Sequence, residues 1–171
     1  MDKQYFRMMA AYNQWANGLL YDAAAELAEE EYTRDVCAFF KSMMGTLNHL
    51  VVTDRIWMKR FCGTGEAPSA LDTILHEDFA TLRAARQAED QRIMDWIEAQ
   101  DEEFFRGTFT YTPVTRPEPV TQRLAPALVH LFNHQTHHRG QAHMILSVMG
   151  KNPPSMDLIY FQRSSEGKRF A

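Results

Sequence analysis

Residues 128–147 read LVHLFNHQTHHRGQAHMILS and hold five of the chain's seven histidines: His130, His134, His137, His138 and His143. Around them Leu124, Leu128, Leu131, Gln135, His138, Ala142, Ile145 and Met149 recur at steps of three and four. That rhythm is one face of an α-helix. His134 and His138 fall one turn apart on this face, so their imidazoles can reach a single cation. The plain alternative is a pair of half-buried histidines bonded to polar neighbours.

A third ligand from another helix would favour the metal. His49, in GTLNHLVVTDRIW (residues 45–57), is the leading candidate, since Thr46, Thr53, Ile56 and Trp57 can share an inward edge with it. His130, one turn before His134, is the rival. His137 points about 100° away from His138 on an ideal helix and does not join both partners without distortion. Three neutral imidazoles suit zinc or nickel first, with iron also accessible, and leave a coordination position for water or a substrate.

Together LFNHQTHHRGQAHMIL, GTLNHLVVTDRIW and the early YNQWANGLL (residues 12–20) resemble the DinB-like (damage-inducible) metalloprotein family over nearly the whole chain. The resemblance implies an all-α four-helix bundle, often a homodimer, with a divalent metal on His49, His134 and His138. It tilts the third ligand toward His49 over His130 and sets Asn13 near the interior, where it is a candidate substrate contact. It fixes no single reaction. Related members suggest thiol transfer, with a thiolate on the metal adding to an electrophilic small molecule.

Composition narrows the classes. At 171 residues the chain has the length of one domain, read as residues 1–171, and its 45% hydrophobic content supports a sizeable core. A formal charge of −4 gives no general attraction to nucleic acid. No run is long and apolar enough to span a membrane, and the N-terminus lacks the pattern of a secretory signal, so a cytoplasmic location is expected. Cys37 and Cys62 are too few for a disulfide framework and read as incidental thiols.

Along the chain, a first helix is expected over 3–27, with Phe6, Met9, Ala10, Asn13, Ala16, Leu20 and Ala24 inward, followed by a polar connection over 29–35. A second helix over 35–61 would carry Phe39, Met43, Thr46, Leu50, Thr53 and Trp57 inward. Asp54 lies about 140° around that helix from His49, so it is a poor ligand for the same ion. It reads as a structural carboxylate, with Arg55, Arg60 or a group on the first helix as partner. CGTGEAPS (62–69) reads as a connector that could overhang the site. The third helix, within 71–100, has an imperfect stripe: Glu89 interrupts it, Arg83, Arg86 and Asp90 read as a solvated face, and His76 reads as a surface or capping residue. Residues 104–112 favour β structure, and Pro113, Pro117 and Pro119 break it, giving a short extended crossover with room for a hairpin. The fourth helix is expected over 121–148, capped by Thr121, with a stop at Gly150. SMDLIYFQ (155–162) reads as a short docked helix with a mobile tail after it.

The functional expectation is a divalent-metal-dependent enzyme acting on a small molecule, by thiol transfer or hydrolysis at an open three-histidine site. Arg139 stands beside the motif as a second candidate substrate contact. The HExxH pattern of zinc peptidases, a P-loop and a dinucleotide fingerprint are all absent. The alternatives are a non-catalytic metal-binding or stress-associated protein, and a metal-free helical dimer whose histidines fill polar core positions.

Overall fold

The computed structural model describes residues 1–113 and 118–171. Pro117, one of the three expected strand breakers, lies outside the described residues. Four long helices carry the fold: α1 (Lys3–Ala24), α3 (Met43–Cys62), α4 (Phe79–Ala99) and α5 (Leu124–Val148). Two short ones, α2 (Glu29–Thr33) and α6 (Leu158–Arg163), complete the helical set, and strands β1 (Thr108–Tyr111) and β2 (Val120–Arg123) form an antiparallel hairpin before α5. In the bundle α1 packs on α4 and α5, and α3 packs on the same two. The all-α four-helix reading and the extended crossover are both present.

The ends of the helices follow from local chemistry. Asp2, Ser42 and Asp78 cap α1, α3 and α4 by accepting from backbone N–H groups of the first turn. α5 lacks a side-chain cap. Instead the Leu124 N–H donates to the Gly107 carbonyl at 3.0 Å, so the hairpin holds the start of the helix. Pro126 sits in that first turn, where no backbone N–H is needed. At the far end Gly150 adopts φ +72°, and the Lys151 and Gly150 N–H groups return to Leu146 and Ser147. This paired closure terminates α5 where the sequence indicates.

Several boundaries differ from expectation. The second long helix begins at Met43, not 35, because Cys37 and Lys41 adopt φ values of 59° and 66°, outside the helical region. The loop they form leaves Phe39 83% exposed instead of inward. Gly45 allows this loop to press on α3: a Cβ there would meet the Phe40 carbonyl oxygen. Residues 29–33, expected as a connection, form α2. The third long helix starts at Phe79, so Leu75 and His76 lie in the connection before it. Thr121 is a strand residue paired with Thr110 and does not cap α5. The tail is packed: Lys168–Phe170 form a 3-10 turn, and Phe170 lies against Phe161, which is itself buried on Tyr12 and Trp15 of α1.

The core has two apolar halves. One gathers Phe6, Met58, Ile93, Leu128 and Phe132; the other gathers Leu20, Leu47, Leu82, Ile145 and Leu146. Between them every long helix contributes buried polar residues: Asn13 and Asn17, Asp54, Arg86 and Asp90, Gln135 and Arg139. The buried stripe of α4 is Leu82, Arg86, Glu89, Asp90, Ile93 and Ile97. Arg86 and Asp90 therefore face inward, and the solvated face expected for them is corrected. Hydrophobicity alone misreads that stripe, because its middle turns are charged and neutralised from other helices.

Leu128→Ala is expected to destabilise the protein by about 2–5 kcal/mol through lost burial and a residual cavity, while Phe39→Ala changes stability by no more than about 0.5 kcal/mol. Urea unfolding of the two variants checks the contrast.

Candidate metal centre

Three histidines from two helices meet at the face between α3 and α5. The Nε2 atom of His138 lies 3.2 Å from Nε2 of His49 and 3.1 Å from Nε2 of His134. Ligand atoms of all three fall within 4.8 Å of one another. Nitrogens about 2.0–2.1 Å from one ion in a tetrahedral shell sit about 3.3 Å apart, so the spacing fits a shared cation.

The other ring nitrogens say why these atoms face each other. His49 Nδ1 lies 2.8 Å from the Leu71 carbonyl oxygen, which can only accept, so Nδ1 carries the proton and Nε2 presents a lone pair. His138 Nδ1 lies 2.7 Å from Gln141 Oε1, which leaves its Nε2 bare by the same argument. Two bare lone pairs at 3.2 Å repel unless a cation stands between them. Burial keeps the rings neutral: it pushes His49 down to about 4 and His134 down to about 3, the latter helped by the neighbouring imidazoles. His138 is lowered as well, again chiefly by burial. Neutral imidazole is the form that ligates. The donor set therefore suits a divalent metal.

The surroundings hold the rings. Phe40 stacks on His49 with centroids 3.8 Å apart and meets His138 edge-on at 5.5 Å. Asn48, unremarked in the sequence, clamps the connection that brings Leu71 to His49. Its Oδ1 accepts from the Leu75 and His76 N–H groups at 2.8 and 3.0 Å, and its Nδ2 donates to the His76 carbonyl at 2.9 Å. A polar side chain beside a ligand histidine, on the inward edge of the helix, was the signal available. The loop over 62–69, expected as a connector that could overhang the site, contributes no residue to the cavity lining among the described residues; Leu71, just beyond it, reaches His49.

Behind the histidines lies the buried polar layer. Arg86 pairs with Asp54 at 2.7 Å and with Asp90 at 3.1 Å. Gln135 Nε2 donates to Asp54 Oδ1 at 2.6 Å and to the Leu50 carbonyl at 3.0 Å, tying α5 to α3 within a turn of the ligands. Asp54 is thus structural, but its cation is Arg86 and neither Arg55 nor Arg60. Asn13 and Arg139 are 1% and 2% exposed. Arg139 donates to Asn13, Asn17 and Thr136, while Asn13 and Asn17 donate to Asp90. Burial raises the Asp54 carboxyl to about 6 against the lowering pull of Arg86. Burial would lower the Arg86 guanidinium, but Asp90 and Asp54 outweigh it and hold it cationic.

The remaining histidines stand apart from the triad. The His130 ring is 5.8 Å from that of His134 and 5.1 Å from Trp57. His137 turns outward to Gln141. His130 instead lines a cavity of about 270 Å³ with His49, His134, Trp57, Arg60 and Tyr111, so the histidines open onto a space of small-molecule size. Tyr111 reaches it because the hairpin lays Phe109 and Tyr111 on Phe61 and Trp57. Phe105, by contrast, stacks on Phe6 and closes the bundle end. The crossover aromatics thus divide between the cavity and the end of the bundle.

Known proteins carry the same plan. The DinB family matches residues 1–169. The chain belongs to the DinB family. It is 24% identical to Protein DinB of Bacillus subtilis (strain 168) over 172 residues, covering 91% of this chain and 93% of that protein. A crystal structure of a DinB-like protein from Bacillus cereus ATCC 10987 superposes with a TM-score of 0.63 at 13% identity, covering 82% of this chain and 90% of that one. At that identity the likeness speaks for the DinB fold alone.

Asp54→Ala is expected to cost about 3–5 kcal/mol, because it removes one of the two carboxylates that neutralise buried Arg86 and the acceptor of Gln135. In the Asp54→Ala/Arg86→Met double variant that loss is not recovered, because buried Asp90 then lacks the guanidinium it pairs with. A double-mutant cycle by urea denaturation measures both.

Proposed function

We propose that this DinB-family chain is a divalent-metal-dependent enzyme, one domain over residues 1–171, acting on a small molecule at an open site formed by His49, His134 and His138. The observation that carries the reading is the convergence of three neutral imidazoles whose two fixed tautomers aim bare nitrogens at one point beside a cavity. Zinc or nickel fits the all-nitrogen set first, and iron is compatible with it. A metal held there would supply Lewis acidity, lowering the pKa of a bound water or thiol, which serves hydrolysis and thiol transfer alike.

The chain's own part is positional. Leu71 and Gln141 fix the proton on Nδ1 of His49 and His138, Phe40 shields the rings on one side, and Trp57 and Tyr111 wall the cavity. No carboxylate lines that cavity among the described residues, so no side-chain acid or base of the Glu type stands ready. This favours thiol transfer over hydrolysis. A non-catalytic metal-binding protein is the alternative, and it requires a fourth protein ligand where the cavity now opens. As substrate contacts, Asn13 and Arg139 would have to leave the buried layer that occupies them, so in this reading they support the site from behind.

Metal analysis of protein purified without added metal is expected to find a stoichiometric divalent ion. His49→Ala, His134→Ala and His138→Ala each lose it, while His130→Ala and His137→Ala keep it. Retention by the first three variants sinks the assignment.

The same reading includes a homodimer in the cytoplasm. No helix among the described residues is long and apolar enough to cross a membrane. Met144 and Val148, one turn apart on α5, are 62% and 63% exposed and offer an apolar stripe for a second copy. Sedimentation is expected to show a dimer that Met144→Glu/Val148→Glu converts to monomer.

A further inference from the structure

The cavity beside the histidines has a second chemical end. Arg60 lies eleven residues after His49 on α3, which returns it to within about 20° of the same face after about 16 Å of helix rise. Its side chain leans back toward the helix N-terminus. There the guanidinium carbon rests 4.5 Å from the centres of both the Trp57 and Tyr111 rings. Among the described residues Arg60 makes no hydrogen bond and no ion pair. Of the other arginines facing the helix interfaces, Arg55, Arg86 and Arg92 each meet a carboxylate, and Arg139 donates to Asn13, Asn17 and Thr136. Arg60 is half-buried, and among the described residues no acidic side chain joins it in lining the cavity. The two rings lie 5.5 Å from each other and so cover one side of the guanidinium, leaving N–H donors on the other side for an acceptor.

From His134 the wall of the cavity continues through His130, 5.8 Å away, to Trp57, 5.1 Å further on, and then to Arg60. We propose that Arg60 binds the carboxylate of an elongated small-molecule substrate whose opposite end meets the metal, with Trp57, Tyr111 and Ile56 flanking an apolar middle. A planar guanidinium pairs with a carboxylate through two parallel N–H···O bonds, which lysine cannot reproduce. With His130 and Trp57 standing between the two ends, chain length is expected to decide whether an acid touches both. This inference rests on the metal assignment above and adds a substrate class to it.

The test uses full-length, cobalt-loaded protein, whose visible spectrum reports thiolate binding at the ion. It is titrated with ω-mercaptocarboxylates of increasing chain length and with the ω-mercaptoalcohols of matching length. At one intermediate length the acid is expected to bind about tenfold or more tighter than the alcohol, the scale of a charge-assisted hydrogen bond. Arg60→Gln brings the acid down to the alcohol's affinity, and Arg60→Lys retains only part of the advantage. Equal affinity for acid and alcohol at every length overturns the proposal, as does an advantage that survives Arg60→Gln. Should Arg60→Gln fold poorly, by circular dichroism, Arg60→Lys decides: full retention of the acid's advantage overturns the proposal. A wild-type protein that gives no cobalt spectrum overturns the metal assignment and this proposal with it, so the two failures are told apart.

Discussion

The ion pair between Arg86 and Asp54, both excluded from solvent, constrains everything around it. Two opposite charges buried together are weak support for stability in themselves, since an apolar pair of the same volume often does as well. Leaving either one unpaired is another matter, at about 3–5 kcal/mol. Arg86 sits on α4 and Asp54 on α3, and Asp90 and Arg139 add a second carboxylate and a second guanidinium from α4 and α5. Asn13 and Asn17 of α1 bridge Arg139 and Asp90. A slide of one turn by any long helix would strand a charge or an amide between the two apolar halves. Leucine faces could tolerate such a slide; this layer cannot.

That register is what the histidines depend on. Gln135, next to His134, donates to both Asp54 and the Leu50 carbonyl, and Leu50 follows His49 in the chain. One side chain therefore aligns the two helices that supply the triad, within a turn of the nitrogens that must meet. The loops add orientation: Asn48 holds the connection whose Leu71 carbonyl accepts from the His49 Nδ1–H, and Gly45 lets the Phe40 loop come close enough to stack on the ring. Polar groups at three removes from the cavity thus converge on the tautomer and tilt of a single imidazole.

The cavity shows the same division of labour. Its histidine end is built by the bundle, and its Arg60 end by the hairpin, which brings Tyr111 over α3. The hairpin also caps the start of α5, so the crossover that interrupts the helical pattern both starts the last helix and shapes the mouth beside it.

The regular parts were legible from periodicity. The inward face of α5, Leu124 through Ile145, is buried as spaced, and the pairing of His49 with His134 and His138 followed from their places on such faces, with the DinB resemblance choosing His49 over His130. What failed was the reading of charge as exposure in α4, because Arg86 and Asp90, besides pairing with each other, are met by partners on α3 and α1. Helix starts failed where backbone conformation decided them, as at Cys37 and Lys41. The sequence by itself determined the inward face of α5, its stop at Gly150 and the histidines that share a face there, since these depend on neighbours within a few residues. Only the tertiary structure decided which charges pair, which tautomers face the centre and which arginine lines the cavity without an acidic partner among the described residues, because each of those is settled by atoms brought from distant parts of the chain.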